Sequence, residues 1–318
     1  MRAGRDCPLD YRLAADAFAG EPLFDCQTLY VVGGLYGNRQ ALAALQRRLA
    51  AEPGARVVFN GDAHWFDIDP ELFQQIERGL AGHLALRGNV ETELGRRANS
   101  GAGCGCAYPA GVDDAVVARS NAIQAELQRC VRELPGMPAR LAARPATALV
   151  RVGGRRVAIS HGDEQSLAGW NCSREALGEP ARQAQLDDWL RRHSLSVLAT
   201  SHSCAAVALD LVHGALINNG AAGLPNFAGG RYGLLSRIAT SAHPAALYRC
   251  RRDGLFIEAV PLNYVHEAFL ADFDRQWPAG SPAALSYRSR ILGTLEDRPQ
   301  QALLGASACA RASAPWRR

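Results

Sequence analysis

Lysine is absent: all 35 basic residues of this 318-residue chain are arginine. That excludes Schiff-base catalysis and the phosphate-gripping lysine of a P-loop, and the bias itself reads as the codon usage of a GC-rich genome. No apolar run approaches the ~18 to 20 residues that span a bilayer; the richest, Leu29 to Val32 and Val57 to Phe59, are strand-sized. Charges and Pro8 stand in the first ten residues where a secretory leader needs an apolar core, so no export and a cytoplasmic location are expected. No G-x-S-x-G elbow occurs, which argues against an α/β-hydrolase. No C-x-x-C pair occurs either, and Cys104-Gly105-Cys106 reads as a loop. The nine cysteines are odd in number and scattered, as expected of thiols in a reducing compartment.

What is present is a globular composition, 48% hydrophobic and 21% charged, which excludes disordered and fibrous architectures. The net charge of +4 lies in residues 281–318, where six arginines face Glu296 and Asp297; the rest of the chain is neutral. A nucleic-acid binder puts its basic surface on the folded body, so no nucleic-acid partner and no membrane partner are expected.

Strand-like Thr28 to Gly33, a helix over Asn38 to Ala51, a strand over Arg56 to Asn60, a helix over Pro70 to Leu80 and a strand over His83 to Arg87 spell βαβαβ. A Gly-rich loop and a long helical segment, Asp113 to Leu134, form an excursion at about 98–145 that is expected to cap a site. Ala146 to Val152 and Arg155 to Ser160 form a hairpin across Gly153-Gly154, a helix is expected over Arg174 to Arg192, and short, largely antiparallel strands follow. The expected organisation is an N-terminal extension (1–27), a main domain (28–262) and a C-terminal helix with an Arg/Ala-rich tail (263–318).

Polar residues cluster where the strands end, which is where open α/β sheets build sites. In order they read Gly33-Gly34-Leu35-Tyr36-Gly37-Asn38, Asn60-Gly61-Asp62-Ala63-His64, Arg87-Gly88-Asn89-Val90-Glu91, Ser160-His161-Gly162-Asp163 and Ser201-His202-Ser203-Cys204, with Asn218 to Pro225 behind them. Each alone is an ordinary turn; their order and spacing together resemble the calcineurin-like metallophosphoesterase superfamily, whose blocks read D-x-H-G-N, G-D, G-N-H-[DE], H and G-H-x-H. The resemblance covers roughly residues 28 to 226. It implies an α/β fold of two mixed β-sheets packed face to face and flanked by helices, and a site in which two metal ions share a carboxylate.

Gly34, Tyr36 and Cys204 stand where the resembled family has its first Asp, first His and last His, so one ion position has lost its private ligands. The other keeps all of its own: Asp62, Asn89, His161 and His202. The resemblance therefore implies one divalent ion, zinc, manganese or iron, with a second not expected. Such an ion neutralises phosphate charge and lowers the pKa of bound water from 15.7 to roughly 7. Four protein ligands fill a tetrahedral, structural site, while a higher coordination number leaves water positions open.

His64, two residues after Asp62, shares its face if the strand continues and is the candidate proton donor; if the chain turns at Gly61, it is a loop histidine. Asn89 is expected to act in catalysis as well as ligation. Cys204 is either a thiolate ligand, given a nearby cation, or a small buried apolar residue. Arg39 and Arg87 flank two blocks and are candidate phosphate-binding residues, and Trp170 either lines the pocket or packs. Two functions follow: a phosphoesterase acting on a small phosphorylated substrate (a phosphodiester, phosphomonoester or nucleotide), or a catalytically inactive relative that serves as a binding or regulatory module.

Overall fold

A computed structural model describes residues 1–98, 100–305 and 309–311. A 3-10 turn at Leu9–Tyr11 precedes the short strand β1 (Asp25–Cys26) and then β2 (Thr28–Val32), all five of whose residues are buried. Alternation sends Leu29 and Val31 to one apolar layer and Tyr30 and Val32 to another, so β2 is covered on both faces and reads as a continuous apolar run. Helix α1 (Arg39–Ala51) starts at Asn38, whose Oδ1 accepts the amides of Gln40 and Ala41 at 3.0 Å each. Strand β3 (Ala55–Asn60) is followed by α2 (Pro70–Leu80), capped by Asp69 with Pro70 in its first turn. Then come β4 (Leu84–Leu86), α3 (Asn89–Leu94), α4 (Asp114–Arg132) and α5 (Met137–Ala142).

The hairpin β5 (Thr147–Val152) and β6 (Arg155–Ser160) is followed by two helices rather than one, α6 (Arg174–Leu177) and α7 (Pro180–Arg192). Pro180 is the reason: it has no amide to donate and disfavours a helical Glu179. Strands β7 (Val197–Thr200), β8 (Ala206–Asp210), β9 (Ala215–Asn219), β10 (Gly233–Ala239), β11 (Tyr248–Arg252) and β12 (Leu255–Leu262) complete the body. The C-terminal part holds α8 (His266–Gln276), α9 (Pro282–Ile291), β13 (Leu303–Leu304) and β14 (Cys309–Arg311).

Among the described residues these strands form two seven-stranded mixed sheets, ordered β14-β11-β12-β10-β2-β3-β4 and β1-β5-β6-β7-β9-β8-β13. In the first, β2, β3 and β4 are parallel. In the second, β6, β7 and β9 are parallel, so that half of the chain is less antiparallel than its short strands suggest. The sheets face each other across a core of Leu29, Val31, Val58, Val150, Ile159 and Ile217. Ile123, Leu127, Cys130 and Met137 share one apolar cluster with Leu42, Phe73 and Phe273, so the 98–145 excursion is built into the helical layer over the first sheet. Helices α6 and α7 cover the outer face of the second sheet through Leu177, Leu186 and Leu190. No helix among the described residues is long and apolar enough to cross a membrane.

Candidate metal centre

The site lies where the parallel strands of the two sheets end side by side. Asn60 closes β3 and ties the sheets together: its Nδ2 donates to the Ser160 carbonyl at 2.9 Å, and its own carbonyl accepts from His161 Nδ1 and from the Ser201 hydroxyl at 2.8 Å each. The chain then turns through Gly61 and Asp62, with φ of 77° and 52°. A Cβ on Gly61 would stand 2.6 Å from both the Gly88 nitrogen and His161 Nδ1, and aspartate is among the few other residues that tolerate the left-handed region. The turn is held by Glu91, whose fully buried carboxylate accepts the amides of Asp62 (2.9 Å), Ala63 (2.8 Å) and Gly88 (2.8 Å).

Four lone-pair atoms meet there. His161 Nε2 lies 3.1 Å from Asn89 Oδ1, 3.1 Å from His202 Nδ1 and 3.4 Å from Asp62 Oδ2. The donor atoms of Asp62, His161 and His202 all fall within 4.8 Å of one another, and all three residues are buried. Each imidazole commits its other nitrogen to a carbonyl that can only accept: His161 Nδ1 to Asn60, and His202 Nε2 to Cys106 at 3.0 Å. Both tautomers are thereby fixed with the remaining nitrogens facing Asp62, the arrangement in which histidines ligate metals. Asn89 is oriented the same way, its Nδ2 donating to the Cys104 carbonyl at 2.9 Å.

The electrostatics agree with a site for positive charge. Burial opposes ionisation of Asp62, but the His161 imidazole offsets it and holds the carboxyl below its ordinary range. Burial likewise opposes charging His161, and the Asp62 carboxylate outweighs it, raising the imidazole pKa. His202 is pushed down to about 4, by burial first and then by the neighbouring His161. Two imidazole nitrogens, a carboxylate and an amide oxygen form a mixed donor set that could hold a metal ion.

Tyr36 and Cys204 pack against each other beside this group. Tyr36 lies over Gly34 and its hydroxyl donates to Cys204 Sγ at 2.6 Å, while the Cys204 thiol donates to the His202 carbonyl at 3.3 Å. Burial pushes both the Tyr36 phenol and the Cys204 thiol up. Cys204 borders the site outside the Asp62, His161 and His202 group.

Three expectations are corrected. His64 is fully buried behind the turn, stacked on Phe73 at 3.6 Å, with Nδ1 2.6 Å from Asp67 Oδ2 and Nε2 2.9 Å from Glu77 Oε1. Both of its nitrogens are occupied, so it has no proton to offer the site. Burial opposes its charge, but Asp67 and Glu77 hold its pKa up at about 9. Arg39 is paired with Asp272 on α8 at 2.7 Å, and Arg87 donates to the carbonyls of Ala142 and Arg144. Neither lines the cavity beside the metal centre.

That cavity, of about 170 Å³, is bounded by Asp62, Asn89 and His202 and walled by Tyr36, Trp65, Tyr108, Trp170 and Tyr287, with Arg290 entering from α9. Trp170 both lines it and anchors the 104–106 loop, its Nε1 donating to the Cys106 carbonyl at 2.9 Å. The residues that hold the four donors are Asn60, Glu91 and the Cys104–Cys106 loop, to none of which the sequence gives that supporting role. Only Glu91 carried a signal there, as the acid of a block resembling G-N-H-[DE].

No protein-family model matches the chain, and no curated protein does. Among solved structures it is similar to a hypothetical protein from Pyrococcus horikoshii OT3, at 13% identity and a TM-score of 0.56 over 81% of this chain and 97% of the other. It is also similar to a metallophosphoesterase from Sphaerobacter thermophilus, at 14% identity and a TM-score of 0.53 over 85% of this chain and 100% of the other. Likeness at such identities speaks for architecture alone, and with two mixed sheets face to face between helical layers the chain has the calcineurin-like metallophosphoesterase fold.

Proposed function

We propose that this chain is a phosphoester hydrolase that works with a single divalent ion held by Asp62, Asn89, His161 and His202. The observation that carries the reading is the convergence of four lone-pair donors whose orientations are fixed from behind by backbone carbonyls and by Glu91. An ion of this kind supplies charge neutralisation at phosphorus and an acidified water. Around it the chain's own residues position and exclude: Asn60 and Cys106 lock the two rings, and the aromatic walls limit bulk water. Asp62, Asn89 and His202 face the cavity while His161 lies behind them, so a cavity ligand reaches the centre from one side.

A second reading, a binding or regulatory module without turnover, is favoured by one observation: Tyr36 and Cys204, which stand where the resembled family has metal ligands, pack against each other. Metal content of the freshly purified protein, measured beside a panel of phosphodiesters, phosphomonoesters and nucleotides, decides between the two. One ion per chain with metal-dependent turnover, both lost in His161→Ala, is expected. One ion with no turnover favours the module; no ion, or two, overturns the single-ion centre.

A further inference from the structure

Two features of the cavity remain once the four donors are accounted for. Arg290 is oriented by neutral acceptors alone: Nε donates to the Pro225 carbonyl at 2.8 Å, and Nη2 reaches the Cys204 carbonyl at 3.2 Å and Asn226 Oδ1 at 3.4 Å. Its neighbour Arg288 is paired with Asp274 and the more distant Arg39 with Asp272. Arg290 has no carboxylate within salt-bridge reach among the described residues, so its charge is aimed but not discharged. Trp65, only 3% exposed, lines the same cavity, and its buried indole N–H makes no well-formed hydrogen bond among the described residues, although the Tyr287 hydroxyl on the same wall is near enough to interact with it. A buried donor without a strong acceptor is costly, and where one borders a cavity it is available to a ligand there.

We propose that Arg290 and Trp65 form an oxyanion subsite that grips the phosphoryl group of the substrate. The guanidinium stands beside Cys204, and it supplies there a permanent positive charge that needs no ligands. Arginine suits this because it stays charged in an apolar setting and presents its remaining N–H groups in a planar array matched to phosphate. The identity of the oxyanion rests on the hydrolase reading; the unpaired cation and the unused donor do not.

The test is calorimetric titration of inorganic phosphate into the metal-replete protein and its Arg290→Met and Trp65→Phe variants, with phosphoester turnover followed in parallel. Phosphate should bind the wild type, and Arg290→Met should weaken it by about 10- to 100-fold, the range of a lost charge-assisted hydrogen bond. Trp65→Phe, which removes one N–H and keeps the ring, should weaken it by about 3- to 10-fold. Metal content should not change, and where turnover is measurable the loss should fall on KM. Should Arg290→Met disturb the Pro225–Asn226 turn, Trp65→Phe carries the test alone. Phosphate binding that is absent from the wild type, or equal in all three proteins, overturns the subsite. Turnover that survives in both variants at unchanged KM overturns it while leaving the hydrolase reading intact. Phosphate binding lost in the variants without any wild-type turnover sustains the subsite and removes the hydrolase.

Discussion

Replacing Gly34 by aspartate puts a Cβ 2.8 Å from Cζ, 2.9 Å from Cε2 and 3.0 Å from Oη of Tyr36. The ring cannot yield cheaply, because Tyr36 is 5% exposed, packs on Phe66 and donates its hydroxyl to Cys204. Overpacking of this kind costs about 1 to 3 kcal/mol, and the positive φ of 63° at Gly34 adds roughly 1 kcal/mol for a non-glycine residue. Tyr36→His alone opens a void and leaves Cys204 without its donor, at roughly 1 to 3 kcal/mol. In the double variant the aspartate enters the space the ring vacates. Urea unfolding of the two single variants and the double should therefore give a favourable coupling of about 1 to 3 kcal/mol. Adding Cys204→His should then raise the metal content from one ion per chain towards two. Additivity within about 0.5 kcal/mol would refute the argument that Gly34 and Tyr36 are matched.

That pairing shows where sequence stops and tertiary structure begins. Asp62, Asn89, His161 and His202 were legible because each follows an apolar strand, and parallel strands deliver their C-terminal ends to one edge. His64 misleads because the i, i+2 argument assumes a continuing strand, whereas the left-handed backbone at Asp62 turns the chain and sends His64 back under the turn to Glu77 on α2. Arg39 and Arg87 are near the blocks in sequence, but Arg39 is claimed by Asp272, a partner that only folding brings up. Arg290 has the opposite history: it counts among the tail charges until α9 lays it against the cavity. A charge becomes informative when its partners are known, and those lie far away in sequence.

Three further outcomes are expected. Glu91→Gln keeps the shape of the side chain but turns an amide NH₂ towards one of the backbone donors that now share the carboxylate, so stability should fall by about 2 to 4 kcal/mol in urea; an unchanged midpoint would show that Glu91 does not hold the turn. Stripping the metal with a chelator should lower Tm, since an ion that binds only the folded chain stabilises it by mass action, and zinc or manganese should restore it; an unaltered Tm speaks against an ion at these residues. The last concerns acid. Burial opposes the charge on Glu77, yet His64 and Arg144 hold its carboxyl down at about 2. A group whose pKa is depressed on folding contributes stability that is complete above its unfolded value of 4.5 and is lost as pH falls towards the folded value. Glu77 therefore contributes up to about 3 kcal/mol at neutral pH, all of it withdrawn between pH ~4.5 and ~2. Glu77→Gln should be less stable than the wild type at pH 7, and the gap should close as unfolding is followed from pH 5 towards pH 2. Parallel curves for the two proteins over that range would mean that Glu77 carries no more charge in the folded state than in the unfolded one, and that the His64, Glu77 and Arg144 cluster is held by packing alone.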